Sequence, residues 1–246
     1  MLRGLAVAAA LAVSLLIAAP SRGGDRVRFG PVRAEGCGDG YSYAGVSGGK
    51  VAGIEATVSA LASPVVASGH VAAWVGVDGF SGDERVWIQA GLNESDPAKG
   101  SVLYWELQAP GAKGYKYGEV AAHVPPGAKH HLSVRELPDA PGSWEALIDK
   151  ERVAGPVRLP GSHGAMNGTA TAENWDGCNV YRYRFEAVRV LHAARGAWTR
   201  LTVAQVFHDA LDVLLERTPD GFVAASARKP VKPAARSMTA ALDGAK

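Results

Sequence analysis

The sequence predicts an all-β protein built as a two-sheet antiparallel β-sandwich. Almost every segment after residue 36 alternates apolar and polar residues with a period of two, as half-buried strands do. Short segments rich in Gly, Pro, Asp and Asn separate these strands, with no convincing helical period between them. Many short strands at such spacing are typical of sandwiches. We therefore expect strands near 41–46, 51–66, 69–78, 85–92, 101–108, 115–123, 130–136, 143–149, 152–159, 168–175 and 180–191.

Two hairpins are expected in the second half of the chain. The segment SWEALIDKERVAGP predicts a tight hairpin that turns at Asp149 to Glu151. Residues 202–217 allow two interpretations, because their apolar residues recur as in a helix while TPDG, which follows LDVLLER, is a turn signal. We prefer the hairpin, since it continues the all-β pattern and supplies a closing strand.

The chain of 246 residues divides into three predicted parts. Residues 1–23 have a basic start, an apolar run and then small residues, which is the layout of a secretory signal peptide. The run is shorter than the about 20 residues that span a bilayer, although an uncleaved anchor is the alternative. Residues 36–227 form the β-sandwich domain, and the tail 228–246 is expected to be disordered. We expect a secreted protein, extracellular or periplasmic, that leaves the membrane after signal cleavage.

The charge, cysteine and histidine content of the chain limits its binding partners and predicts one covalent link. With 26 Lys and Arg against 24 Asp and Glu, the chain lacks the strong basic field that favours nucleic acid. Its two cysteines, Cys37 and Cys178, predict one structural disulfide in an exported protein, joining the first strand to a late one. The seven histidines show no metal-ligand spacing, so no metal and no cofactor is expected. A monomer is expected.

Strand periodicity gathers an unusual set of side chains on one face of a sheet. On 85–92, alternate residues from Val86 to Leu92 face the core, so that Trp87 and Gln89 face the other way. The same reasoning on three further strands assigns one outer face to Trp74, Asp78, Trp87, Gln89, Tyr104, Glu106, Glu173 and Trp175. Aromatic rings, carboxylates and an amide beside glycines suit a ligand groove. An ordinary polar face with scattered aromatic residues is the alternative.

Five segments resemble, in the same order, the glutamic peptidases, also called eqolisins. The segments are YSYAGVSGGKVAGIEATVSALASP, AAWVGVDG, VWIQAGL, YWEL and ATAENW, and the resemblance covers roughly residues 40–190. It implies a concanavalin A-like β-sandwich and a secreted endopeptidase that acts in acid. By this resemblance Gln89 matches the catalytic glutamine of the family and Glu173 its catalytic glutamate. The residues that match those lining or supporting the family's site are Trp74, Asp78 and Glu106.

The chemistry implied by this resemblance needs one base and one neutral hydrogen-bond donor. A glutamate side chain ordinarily ionises near pH 4.3, so it can take a proton from water in mild acid. A glutamine amide does not titrate, and its N–H can stabilise a developing oxyanion. Trp87 and Tyr104 would then help to shape a groove for an unfolded protein or peptide substrate. The alternatives are a non-catalytic module that stacks these rings on a polysaccharide or a peptide, and an accessory surface protein without a small ligand.

Overall fold

A computed structural model describes residues 40–175, 178–194, 196–201, 206–208 and 213–226. These residues form strands and no helix, which confirms the predicted all-β class. The strands are β1 (Tyr41–Val51), β2 (Gly53–Ala60), β3 (His70–Ser81), β4 (Glu84–Glu94), β5 (Val102–Gln108), β6 (Lys116–Ala121), β7 (His130–Leu137), β8 (Ala140–Ile148), β9 (Glu151–Arg158), β10 (Met166–Trp175), β11 (Arg182–Leu191), β12 (Trp198–Arg200), β13 (Val206–His208), β14 (Val213–Thr218) and β15 (Gly221–Ser226).

The strands form two antiparallel sheets that pack face to face, as the sequence predicts. One sheet has seven strands in the order β13-β1-β10-β3-β4-β5-β6. The other has eight strands in the order β14-β15-β11-β2-β7-β8-β9, and β12 pairs with β11 beside them. Strand β10 pairs between β1 and β3, so that a late segment of the chain completes a sheet begun by the earliest strands.

The core lies between the inward faces of the two sheets. Ile88 and Leu92 of β4 are 0% and 1% exposed, and Trp144 and Phe185 of the other sheet are both fully buried. Burying each such side chain contributes roughly 1.5–3 kcal/mol by removing apolar surface from water. The indole N–H of Trp144 donates to Ser162 Oγ at 2.7 Å, which satisfies its polar atom inside the core.

The first two strands differ from their predicted bounds. Strand β1 continues through the predicted turn to Val51, with a bulge at Gly48, and the φ of 66° at the following Gly49 lies in the left-handed region. The chain then crosses at Ala52 to the opposite sheet, where β2 ends at Ala60 instead of continuing to residue 66. The core-facing residues do not keep a single alternation here. The core passes from Val46 to Val51 across the bulge and from Val51 to Ile54 across the crossing, and both steps are odd numbers of residues.

Both predicted hairpins are present. Asp149 and Lys150 have φ of 51° and 75°, and they join β8 to β9 by the two-residue turn that suits twisted strands. Near the C-terminus β14 and β15 pair as a hairpin around Pro219 and Asp220, which confirms that interpretation for residues 213–226. Residues 202–205 and 209–212 lie outside the described residues, and β13 pairs with β1.

Three other predictions fall on residues that the structure does not describe. The signal peptide 1–23, the tail 228–246 and Cys37 all lie outside the described ranges. The signal, the tail and the disulfide between Cys37 and Cys178 therefore stay predictions. Within the described ranges there is no helix of the length and apolarity that crossing a membrane requires.

Candidate active site

The outward-facing side of the seven-stranded sheet, called the site face below, carries the residues that the sequence assigned to a groove. Alternate residues of β3 and β4, among them Val75 and Ile88, are buried in the core, which turns their neighbours outward. Pairing across four strands places Thr171, Trp74, Gly91 and Tyr104 in one row. The assigned residues on this face are Trp74, Asp78, Trp87, Gln89, Tyr104, Glu106, Glu173 and Trp175.

Glu173 of β10 is held by two ring nitrogens from β3. Its Oε2 accepts the indole N–H of Trp74 at 2.9 Å, and its Oε1 lies 2.8 Å from Nε2 of His70. The carboxylate is nearly buried, with 11% of its side chain exposed. Each oxygen therefore keeps one lone pair beyond the contact that orients it, so the group can still accept a proton from water.

Gln89 of β4 is oriented by Tyr104 of β5. Its Nε2 donates to the Tyr104 hydroxyl at 3.1 Å, which leaves the second N–H of the amide available. Burial, followed by the negative charges of Glu173 and Glu106, raises the pKa of Tyr104 well above its ordinary value. The phenol therefore stays neutral and remains a hydrogen-bond partner at any physiological pH.

Glu106 lies directly opposite Gln89 in the pairing of β4 with β5. Its Oε1 accepts the indole N–H of Trp87 at 2.9 Å. Burial raises the pKa of Glu106, and the charge of Glu173 raises it further, while the Trp87 hydrogen bond and His70 oppose these effects. Burial therefore makes the protonated form of Glu106 easier to populate than that of a glutamate in water.

Strand β3 separates Glu173 from Gln89 and carries a tryptophan between them. Glu173 pairs with Ala72 of β3, whereas Gln89 pairs with Gly76, four residues further along that strand. Trp74 lies midway between these two positions and reaches Glu173 through its indole. The acid and the amide consequently lie on one face, on the two strands that flank β3.

Two glycines leave the room that these side chains occupy. A Cβ at Gly91 would lie 2.7 Å from Cβ of Trp74 and 2.9 Å from Cε1 of Tyr104, closer than real Cβ atoms approach. A Cβ at Gly76 would lie 2.8 Å from Cβ of Gln89. Both glycines are therefore needed for the close approach of the large residues around them.

Asp78 lies two residues beyond Gly76 on the same face. It pairs directly with Trp87, and its Oδ2 contacts Nη2 of Arg85 at 3.3 Å. With 38% of its side chain exposed, Asp78 is partly open to solvent. Asp78 forms its ion pair with Arg85, whereas Glu173 is held by His70 and Trp74.

Sequence reasoning missed His70, which it had dismissed as a metal ligand and did not place on the site face. An identifiable signal exists, because His70 and Trp74 are separated by an even number of residues on one strand and so share a face. Pairing then puts His70 opposite Trp175, whose ring centroid lies 5.4 Å away. Tyr41 of β1 completes this group, with its ring stacked 5.9 Å from that of Trp175.

A second aromatic group at the other side of the site was also missed. Tyr117 of β6 stacks on Tyr104 at 5.6 Å, and its hydroxyl accepts from Nδ2 of Asn93 at 3.2 Å. Tyr115 lies 6.4 Å from Trp87 and is largely exposed. Aromatic rings therefore border the acid and the amide on both sides, while no cluster of three metal-binding side chains occurs among the described residues.

Comparison with solved structures finds the same fold in glutamic peptidases. Scytalido-glutamic peptidase with a transition state analog inhibitor aligns with a TM-score of 0.53 at 13% identity, covering 76% of this chain and 97% of that one. The same enzyme with a peptide based analog gives 0.51 at 14% identity, again with 76% and 97% coverage. The eqolisin SCP-B in complex with the tripeptide Ala-Ile-His gives 0.50 at 14% identity, covering 76% and 96%.

At this level of identity the likeness establishes the fold. No protein-family model matches the chain, and no curated protein matches it in sequence.

Proposed function

We propose that this chain is a glutamic-type endopeptidase, in which Glu173 is the general base and Gln89 stabilises the oxyanion. One observation carries the proposal: a nearly buried carboxylate with both oxygens oriented and an oriented neutral amide share one face of the sheet. The chain shares its fold with peptidases that bind a peptide based transition state analog and a tripeptide, and this likeness supports the same interpretation. Secretion and action in acid belong to the proposal.

The reaction needs only groups that the site face supplies. Glu173 takes a proton from a water molecule as the water oxygen attacks the scissile carbonyl carbon of a peptide. The second N–H of Gln89 donates to the carbonyl oxygen, which carries the negative charge of the tetrahedral intermediate. Glu173 then returns the proton to the departing nitrogen, the C–N bond breaks, and an acid and an amine leave.

The surrounding groups support these two roles. Trp74 and His70 contact the two oxygens of the Glu173 carboxylate, and the Tyr104 hydroxyl accepts an N–H of the Gln89 amide. The raised pKa of Glu106, which burial causes, keeps a second negative charge away from the developing oxyanion in acid. Trp87 and the exposed Tyr115 offer apolar surface for the side chains of an extended peptide.

The test is a cleavage assay on an unfolded protein substrate from about pH 3 to about pH 7, read by mass spectrometry. We expect internal cuts by the wild-type protein and a loss of about 10²–10⁴-fold in Glu173→Gln, which removes the base but keeps the shape. The control is Glu151→Gln at an exposed position of the other sheet, which should leave the rate unchanged. Cleavage that survives in Glu173→Gln would exclude the proposed base.

The same experiment separates the peptidase from a binding module. A protein that leaves the substrate intact at every pH, yet binds a peptide or a polysaccharide through its aromatic residues, would be non-catalytic. Binding by the Glu173→Gln variant, measured by calorimetry, reports on the groove independently of the chemistry. The peptidase proposal requires binding and cutting together.

A further inference from the structure

His70 is the most specific feature of the site that the proposed reaction does not itself require. Its Nε2 lies 2.8 Å from Glu173 Oε1, and 21% of its side chain is exposed. An ionised carboxylate can only accept hydrogen bonds, so this contact is a hydrogen bond when Nε2 carries a proton. The contact therefore selects the Nε2–H form of the ring whenever Glu173 is charged.

The imidazole of His70 also packs against two aromatic rings of the neighbouring strands. Its centroid lies 5.4 Å from that of Trp175 and 5.8 Å from that of Tyr41, with tilted and edge-on rings. Such aromatic contacts restrict a ring without using its nitrogens. The ring thus presents Nε2 to Glu173 while its carbon surface packs against two strands.

The backbone at His70 is anchored by a fully buried asparagine. Nδ2 of Asn179 donates to the carbonyl oxygen of His70 at 3.3 Å and to that of Trp175 at 3.0 Å. Its Oδ1 accepts the N–H of Ala67 at 2.8 Å. One side chain therefore ties the start of β3, which carries His70, to the end of β10, which carries Glu173.

We propose that His70 is a positioning residue for Glu173, donating Nε2–H to Oε1 so that the carboxylate keeps one orientation. This inference rests on the proposed function. With only the Trp74 hydrogen bond on Oε2, the carboxylate could turn about its last torsion, which is broad for glutamate. The second donor stops that rotation and leaves the outward lone pairs aimed at the groove, where a water would be activated.

Two substitutions test the N–H donor and the aromatic ring of His70 separately. His70→Phe keeps an aromatic ring against Tyr41 and Trp175 but removes the N–H. His70→Gln keeps an N–H at a similar reach but removes the ring. If His70 had a purely structural role, both variants would lose activity equally, or His70→Phe would be the more active of the two. If His70 positions Glu173, His70→Gln is the more active variant.

The kinetic measurement is kcat and KM on a peptide substrate, with thermal unfolding recorded for each variant. We expect His70→Phe to lower kcat by about 10–100-fold and to change KM by less than about threefold, because orientation is lost and binding is not. The kcat of His70→Gln should be at least about tenfold higher than the kcat of His70→Phe. Wild-type kcat in His70→Phe, or equal kcat in the two variants, would overturn the proposal.

A second measurement tests the contact without using activity. Long-range ¹H–¹⁵N NMR of the histidine rings shows which nitrogen is protonated, and His70→Phe identifies the resonance. We expect Nε2–H in the wild-type protein near neutral pH, and a shift of that signal in Glu173→Gln. An Nε2 without a proton, or a signal indifferent to Glu173→Gln, would overturn the proposed contact.

The two measurements also keep this inference distinct from the proposed function. If the wild-type protein cuts no substrate, the peptidase proposal fails, and NMR alone decides whether His70 orients Glu173. If the protein cuts and His70→Phe is as fast as the wild type, the peptidase stands and the positioning role is wrong.

Discussion

Trp74 donates its indole N–H to Oε2 of Glu173 at 2.9 Å, across the boundary between β3 and β10. A second tryptophan does the same on the next pair of strands, where Trp87 donates to Oε1 of Glu106 at 2.9 Å. Both carboxyl groups therefore accept an indole N–H, and burial raises the pKa of Glu106. The site face thus repeats one arrangement, an indole N–H donated to a carboxyl oxygen, on two pairs of strands.

Replacing Trp74 by Phe should slow catalysis without unfolding the protein. The ring stays and the N–H is lost, and a hydrogen bond to a charged group contributes roughly 1.5–3 kcal/mol. We expect kcat to fall by at least about tenfold, since about 1.4 kcal/mol corresponds to a factor of ten. The measurement is steady-state kinetics on one peptide substrate.

The control for that substitution is Trp198→Phe, on the opposite sheet. It removes an indole N–H far from the site face and should leave kcat unchanged. A Trp74→Phe variant as fast as this control would show that the indole does not orient the base.

Replacing Tyr104 by Phe should free the Gln89 amide. The Tyr104 hydroxyl accepts Nε2–H of Gln89 at 3.1 Å, and the Tyr104 ring is buried. Because the ring is kept, we expect unfolding free energy to fall by only about 1 kcal/mol, the net value of one hydrogen bond. We expect kcat to fall several-fold, because the oxyanion donor is less well placed.

Kinetics and urea unfolding on the same preparation distinguish these effects. A large loss of stability with unchanged kcat would mean that Tyr104 supports the fold alone and leaves Gln89 unaffected.

Glu106 should make stability depend on pH. Burial raises its pKa in the folded protein, so folding favours the protonated form. Its contribution to stability is therefore complete below the ordinary pKa of an unfolded glutamate and is lost as pH rises through the raised folded value. Glu106→Gln can still accept the Trp87 N–H and does not titrate. We therefore expect it to lose less stability than the wild type as the pH rises from the ordinary pKa of glutamate through the raised one.

Urea unfolding at several pH values measures this difference. Glu151→Gln, at an exposed position, should follow the wild-type curve. If the unfolding free energy of Glu106→Gln and that of the wild type changed with pH in parallel, burial would not raise the pKa of Glu106.

Replacing Asn179 by Ala should destabilise the whole domain. The side chain is fully buried and bonds the N–H groups of Ala67 and Ser68 and the carbonyl oxygens of His70 and Trp175. Leaving a buried polar group unsatisfied costs about 1–3 kcal/mol each, so a loss of at least about 3 kcal/mol is expected. Equilibrium unfolding gives the value.

Asn167→Ala, at the other end of β10, is the matched control and should change stability by less than about 0.5 kcal/mol. Similar values for the two variants would mean that the backbone groups around residue 179 find other partners.

Much of the site face could be predicted because strand periodicity is local. Once residues near Gln89 alternate between apolar and polar, backbone geometry alone decides which of them share a face. That is why Trp74, Trp87 and Gln89 could be grouped before any strand was paired. His70 obeys the same rule, since it lies four residues before Trp74 on β3 and so faces the same way.

The sequence by itself determined the all-β class, most of the turns after β2 and which residues share the site face on β3, β4, β5 and β10, since these depend on neighbours a few residues away. Only the tertiary structure decided that β10 pairs between β1 and β3 and in which register. That register brings Glu173 to Trp74 and His70, about a hundred residues away along the chain. Such pairing reflects long-range packing of two sheets, which no local pattern encodes.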